Sequence, residues 1–117
     1  MSIKDLSQER RGAKRLECPL PAWYRSVGPG REVFLRTQTM DVSATGATVY
    51  GPSQLNDSER IDLTLRLDDG SYVSLRARPV GCRSYGEGSL ISLRFESDAL
   101  AERATLKNWL QRKSRYQ

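Results

Sequence analysis

Residues 41–46 bring a carboxylate, a hydroxyl and a glycine together as Asp41, Ser43 and Gly46. A carboxylate can accept hydrogen bonds from two adjacent N–H groups, which is the pattern that the Watson–Crick edge of guanine offers. Upstream, Arg11 and Arg15 lie four residues apart. Their guanidinium groups suit phosphate oxygens and the O6/N7 edge of guanine. The two segments together indicate a site for a guanine nucleotide.

The chain that must position these residues alternates apolar and polar side chains with a period of two, which predicts β-strands. Six strands are predicted, over residues 18–25, 32–40, 47–50, 61–67, 73–82 and 91–95. The 41–46 segment is therefore expected in a connection that begins where the second strand ends at Met40. Asp69-Gly70 predicts a two-residue hairpin turn, and the change of phase after Pro79 predicts a bend or bulge.

The C-terminal residues favour a helix over about 98–115. Asp98 can cap it, and Leu106, Trp109 and Leu110 share one side with Ala99, a stripe that should dock on the sheet. In this arrangement Trp109 is a core residue rather than a ligand-stacking one. Six short strands and a helix predict an all-β fold with a C-terminal helix, a six-stranded antiparallel β-barrel, because closure removes exposed sheet edges.

Residues 1–16 have no apolar periodicity and predict a flexible basic N-terminal arm, with one barrel domain over 17–117. A solubilising tail is the simpler alternative for this arm. The net charge is +3 over residues 1–15, +3 over 98–117 and −1 between them. This distribution favours a basic arm over the basic groove that a nucleic-acid-binding barrel needs.

Arg11-x-x-x-Arg15 followed by Asp41-x-Ser43-x-x-Gly46 resembles the paired signature of PilZ domains, the bacterial receptors for cyclic di-GMP. The resemblance extends from about residue 8 to the C-terminal helix, and PilZ domains are six-stranded barrels of the predicted kind. It implies that Arg11 and Arg15 contact phosphate and guanine, that Asp41 and Ser43 bind a guanine edge, and that Gly46 meets a backbone requirement.

Two more arginines are candidate ligand contacts. Arg10 precedes the first motif arginine, where family members that take two stacked ligands often carry arginine, so the resemblance implies a stacked cyclic di-GMP pair. Arg83, after the Pro79 bend, is a candidate stacking cation, although a solvated surface arginine is the simpler interpretation. The predicted function is a cyclic di-GMP receptor or adaptor. In it, the ligand orders the arm over the barrel and changes the surface offered to a downstream effector protein.

Composition argues against several other classes. The chain has no histidine and no Cys-x-x-Cys pair, so neither an enzyme nor a metal or other cofactor is expected. Two cysteines without a signal peptide or an 18-residue apolar run predict a cytoplasmic protein that does not contact the membrane. Two binding alternatives stay open: a protein-only adaptor, and a small barrel that stacks single-stranded nucleic acid on Trp23, Tyr24 and Tyr85.

Overall fold

A computed structural model describes residues 16–27, 34–51, 59–96 and 100–115. Its strands are β1 (Pro21–Ser26), β2 (Leu35–Val42), β3 (Gly46–Gly51), β4 (Ile61–Arg66), β5 (Tyr72–Tyr85) and β6 (Gly88–Phe95), followed by the helix α1 (Leu100–Arg115). The predicted all-β class with a C-terminal helix is confirmed. Residues 1–15 of the predicted arm, with Arg10, Arg11 and Arg15, lie outside the described residues, as do Asp98 and Ala99.

The six strands close into a barrel in the order β1-β2-β3-β6-β5-β4. Every neighbouring pair is antiparallel, and β1 pairs with β4 to complete the ring. Alternate side chains from these strands fill the interior, among them Ala22, Tyr24, Val49, Ile61, Leu63, Leu65, Val73, Leu75 and Ile91. The period-two pattern therefore produces a single apolar core, as predicted.

The helix α1 covers a stretch of β5 that β6 leaves unpaired, since β6 pairs with β5 only from Ala77 onward. The carboxylate of Glu102 accepts a hydrogen bond from the backbone N–H of Ser74 at 2.7 Å, which satisfies part of this edge. Trp109 and Leu106 are at most 2% exposed, so the predicted docking stripe and the core role of Trp109 are confirmed.

The end of α1 is held by the β4–β5 hairpin. The indole Nε1 of Trp109 donates to Asp68 at 2.7 Å, and Lys113 forms an ion pair with the same carboxylate. The hydrogen bonds from Lys113 and from Trp109 lower the pKa of Asp68 below its ordinary value of 3.8. Between β4 and β5 the N–H of Leu67 donates to the carbonyl of Ser71 at 2.8 Å, which leaves residues 68–70 as the loop, so the predicted two-residue turn is wrong. Gly70 has φ +91°, the left-handed conformation that a three-residue loop requires.

Both irregularities in the barrel are β-bulges, each one residue long. The bulge between Pro79 and Gly81 confirms the predicted bend in β5. A second bulge lies between Thr39 and Asp41 in β2, and the strand continues to Val42 instead of ending at Met40. The prediction that the 41–46 segment begins after the strand is therefore wrong by two residues. Its first two positions are held by pairing with β3.

Candidate functional site

The bulge at Met40 determines the direction of Asp41. Thr39 is fully buried inside the barrel, and without a bulge the alternation of a strand would turn Asp41 inward as well. The extra residue reverses the alternation, so Asp41 pairs with Thr48 while the next residue, Val42, is fully buried. Asp41 is consequently half-buried on the outer face of the barrel, in a row with Thr48 and Ser92.

Ser43 organises the connection between β2 and β3. Its backbone N–H donates to the carbonyl of Gly46 at 2.8 Å, and its Oγ accepts from the N–H groups of Thr45 and Gly46, each at 3.2 Å. The side chain is among the few buried polar ones, with Ser43 3% exposed. The hydroxyl thus fixes the shape of the loop that follows Asp41.

Gly46 is required by space rather than by backbone conformation. Among the described glycines, only Gly70 and Gly86 have positive φ. A Cβ built on Gly46 would lie closer than 3.0 Å to the backbone carbonyl oxygen of Leu93, on the neighbouring strand β6. The β2–β3 loop can therefore approach β6 this closely only with glycine at this position.

The chain segment that follows the arginine motif is attached to the strand that carries Asp41. Leu16 and Val42 exchange two backbone hydrogen bonds, at 2.8 and 3.0 Å. Farther on, the buried hydroxyl of Thr39 donates to the carbonyl of Cys18 at 2.6 Å and accepts from the N–H of Leu20 at 2.9 Å. Residues 16–20 are thus attached to β2 close to Asp41. The sequence analysis missed the part that Thr39 plays in this attachment.

A cavity of about 490 Å³ lies on the outer side of β2 and extends as far as Met40, the residue before Asp41. Its lining residues are Pro21, Arg36, Thr37, Gln38, Met40, Tyr50 and Tyr85. The rings of Tyr50 and Tyr85 meet edge to face, with centroids 6.0 Å apart. This cavity therefore offers aromatic groups and the cationic side chain of Arg36.

Arg83 is exposed on the face that carries Asp41, but not beside it. It pairs across strands with Leu90, which in turn pairs with Tyr50. Through Thr48 and Ser92, Asp41 is in register with Gly81 of β5, two residues before Arg83. Three strand spacings of about 4.8 Å separate β2 from β5, so the path over the sheet from Asp41 to Arg83 is longer than roughly 14 Å. Arg83 could reach a ligand only if that ligand extended across β3 and β6.

The aromatic residues considered for nucleic-acid stacking do not form one platform. Tyr24 is 3% exposed and lies in the core, so it is unavailable to a base. Trp23 contacts Tyr72 at a centroid distance of 6.1 Å, whereas Tyr85 contacts Tyr50. The three residues therefore belong to three different environments, which argues against the stacking alternative.

Within the described part of the chain, no group of His, Cys, Asp or Glu side chains is arranged to hold a metal ion. Cys18 and Cys82 are both free thiols. Burial raises the pKa of the Cys18 thiol, and the carboxylate of Asp68 raises it further while Lys113 opposes it. Among the described segments, no helix has the length and apolar character needed to cross a bilayer.

The fold is thus a closed six-stranded antiparallel barrel followed by one helix, with Asp41, Ser43 and Gly46 where β2 connects to β3. The model of the PilZ domain family matches residues 9–112. The chain therefore belongs to the PilZ domain family, as the paired motifs predicted.

Solved structures of PilZ proteins share the fold. The Bacillus subtilis inhibitor of motility MotI/DgrA aligns with a TM-score of 0.75 and 18% identity over 92% of this chain and 52% of its own. The PilZ domain of Escherichia coli YcgR with c-di-GMP aligns with a TM-score of 0.65 and 17% identity over 92% of this chain and 95% of its own. Escherichia coli YcgR in complex with c-di-GMP aligns with a TM-score of 0.69 and 18% identity over 92% of this chain and 48% of its own. This chain thus spans about half the length of MotI/DgrA and of that YcgR chain, and no curated protein matches it by sequence.

Proposed function

We propose that this protein is a receptor for cyclic di-GMP and acts by binding rather than by catalysis. The observation that carries the proposal is the pairing of Leu16 with Val42. It holds the residue that follows Arg15 against the strand end that presents Asp41 and leads into the Ser43 loop. In the proposed receptor, Arg11 and Arg15 would reach from this attachment point to the outer face of the barrel that carries Asp41.

The chemistry of this face suits a guanine dinucleotide. The carboxylate of Asp41 can accept from the N1–H and N2–H groups of guanine, and its half-buried position strengthens such charge-assisted bonds. Arg11 and Arg15 would supply donors for phosphate and for the O6/N7 edge. Solved structures of YcgR, which has the same fold, contain c-di-GMP, and this supports the same class of ligand here.

The arm is proposed to be the part that responds to the ligand. Residues 1–15 contain five basic and few apolar side chains, so ordering them costs about 1–2 kcal/mol per residue without compensation from a core. Phosphates bound by Arg11 and Arg15 would offset this cost and fold the arm over the barrel near Asp41. The ordered arm would then present a new surface to a downstream effector protein, and such a receptor would act in the cytoplasm.

Calorimetric titration with cyclic di-GMP tests the receptor, with GTP and cyclic di-AMP as ligand controls. We expect a micromolar or lower Kd, which corresponds to about −8 kcal/mol or better, for cyclic di-GMP alone. Arg15→Ala should weaken binding by about 10-fold to 100-fold, since a charge-assisted contact contributes about 1.5–3 kcal/mol. The matched control is Arg66→Ala, which removes an exposed arginine from β4. Equal binding of GTP, or an unchanged Kd in Arg15→Ala, would refute the proposal.

The same titration tests the number of ligands. A second stacked dinucleotide would bring two more phosphates to the arm, and Arg10 could offset their repulsion, with Arg83 as a further candidate contact. We expect an endpoint of two ligands per chain that falls toward one, or toward weaker binding, in Arg10→Leu. A wild-type endpoint of one ligand would reject the stacked pair.

A further inference from the structure

The segment between the arm and β1 is attached to the barrel in an unusual way. Pro19 and Pro21 flank Leu20 and carry no N–H group on the side of the strand that faces β4, where pairing begins only at Ala22. The bonds of this segment therefore come from β2. The backbone of Thr39 donates to the carbonyl of Leu20 at 2.9 Å, and the remaining bonds come from the Thr39 side chain. Its Oγ1 accepts from the N–H of Leu20 and donates to the carbonyl of Cys18, so one hydroxyl ties this segment to β2 at two points.

The hydroxyl of Thr39 lies in the core, where a polar group must have hydrogen-bond partners. Thr39 is fully buried, and its cross-strand partner Val49 is also fully buried. At such a position valine has the same shape and brings no polar atom that must be satisfied. A threonine is stable there because both its donor and its acceptor capacity are used by residues 18 and 20.

The same residue also precedes the bulge that turns Asp41 outward. On one side of Thr39 the hydroxyl holds the segment that leads back to Arg15, and on the other side the strand leads through Met40 to Asp41. The segment that follows Arg15 and the carboxylate of Asp41 are therefore both held by contacts made within three residues of β2.

We propose that Thr39 is a positioning residue for the ligand site, because its hydroxyl fixes the line along which the arginine segment leaves the barrel toward Asp41. This inference rests on the proposed binding of cyclic di-GMP at that face. Thr39 would not touch the ligand. Without its hydroxyl, residues 17–20 would keep only the backbone bonds on either side, and the arm would start from a less defined point.

The test compares Thr39→Val, which removes the hydroxyl and keeps the shape, with Thr39→Ser, which keeps the hydroxyl. We expect Thr39→Val to raise the Kd for cyclic di-GMP about 10-fold and to speed hydrogen exchange at the Leu20 amide. Thr39→Ser should keep the wild-type Kd and the wild-type exchange rate. Val49→Ala is the stability control, since it opens a cavity beside Thr39 without removing a bond to the arm segment. It should lower the thermal midpoint and leave the Kd of the folded protein unchanged.

The outcomes separate this inference from the proposed function. If wild type binds cyclic di-GMP and Thr39→Val binds equally well, the positioning role is overturned and the receptor stands. A wild type without affinity for cyclic di-GMP overturns both. Should Thr39→Val fail to fold, hydrogen exchange of the ligand-free wild type still tests the inference. A Leu20 amide that exchanges as fast as an unstructured one would contradict its hydrogen bond to Thr39 and overturn the positioning role.

Discussion

Replacing Gly46 with alanine should destabilise the barrel because the added methyl group has no room. The Cβ would lie closer than 3.0 Å to the carbonyl oxygen of Leu93, and this oxygen belongs to the backbone of β6 and cannot rotate away. Overpacking of this kind costs about 1–3 kcal/mol. For a domain of this size, each 1 kcal/mol lowers the thermal midpoint by about 4–8 °C. We expect the midpoint of Gly46→Ala to fall by at least about 4 °C.

Gly81→Ala is the matched control for this prediction. Its Cβ would meet the Cβ of Ser92 at 3.8 Å, which is an ordinary van der Waals contact, and Gly81 has no positive φ. At a compatible position, replacing glycine with alanine stabilises by about 0.4–1 kcal/mol through the unfolded state. Thermal unfolding followed by circular dichroism measures both variants. Equal midpoints for Gly46→Ala and Gly81→Ala would refute the close approach of the loop to β6.

Three further predictions test the loop, the core and the helix. Ser43→Ala removes the acceptor of two loop N–H groups and should cost about 0.5–1.5 kcal/mol for each, less where water replaces the serine, and an unchanged urea midpoint would contradict this. Leu63→Ala should cost about 2–5 kcal/mol in the same assay because it leaves a core cavity, and a loss below 1 kcal/mol would show that the site is not packed as described. The lowered pKa of Asp68 means that its carboxylate stabilises the fold above pH 3.8 and that this contribution is lost as the pH falls below that value. Asp68→Asn, followed by Trp109 fluorescence, should therefore lose part of the acid sensitivity of wild type, whereas identical acid transitions would exclude a role for the bonds from Lys113 and Trp109.

Much of the fold follows from patterns that are local in the sequence. The alternation in residues 61–67 and 73–77 determines which side chains face inward. Because each strand has one apolar face, a closed barrel can bury all of these faces in a single core. The apolar stripe of α1 is equally visible, since Leu106, Trp109 and Leu110 recur at helical spacing. The signature residues Asp41, Ser43 and Gly46 could be recognised from their types and spacing alone.

The details that shape the site depend on cross-strand pairing and could not be predicted. A one-residue bulge at Met40 leaves little trace in the sequence, yet it decides that Asp41 faces outward. The role of Thr39 requires knowing that residues 18 and 20 run beside it, some twenty residues away in the chain. The packing of Gly46 against Leu93 likewise appears only once β3 and β6 are paired.

The central claim is that cyclic di-GMP binds where the arginine segment meets the strand end of Asp41. Two-dimensional ¹H–¹⁵N NMR of the labelled protein, with and without cyclic di-GMP, tests this location directly. We expect the largest amide shift changes in residues 8–18 and 41–48, while residues 61–66 of β4 stay unchanged. Spectra without any change, or with changes centred on β4 and Trp23, would contradict it.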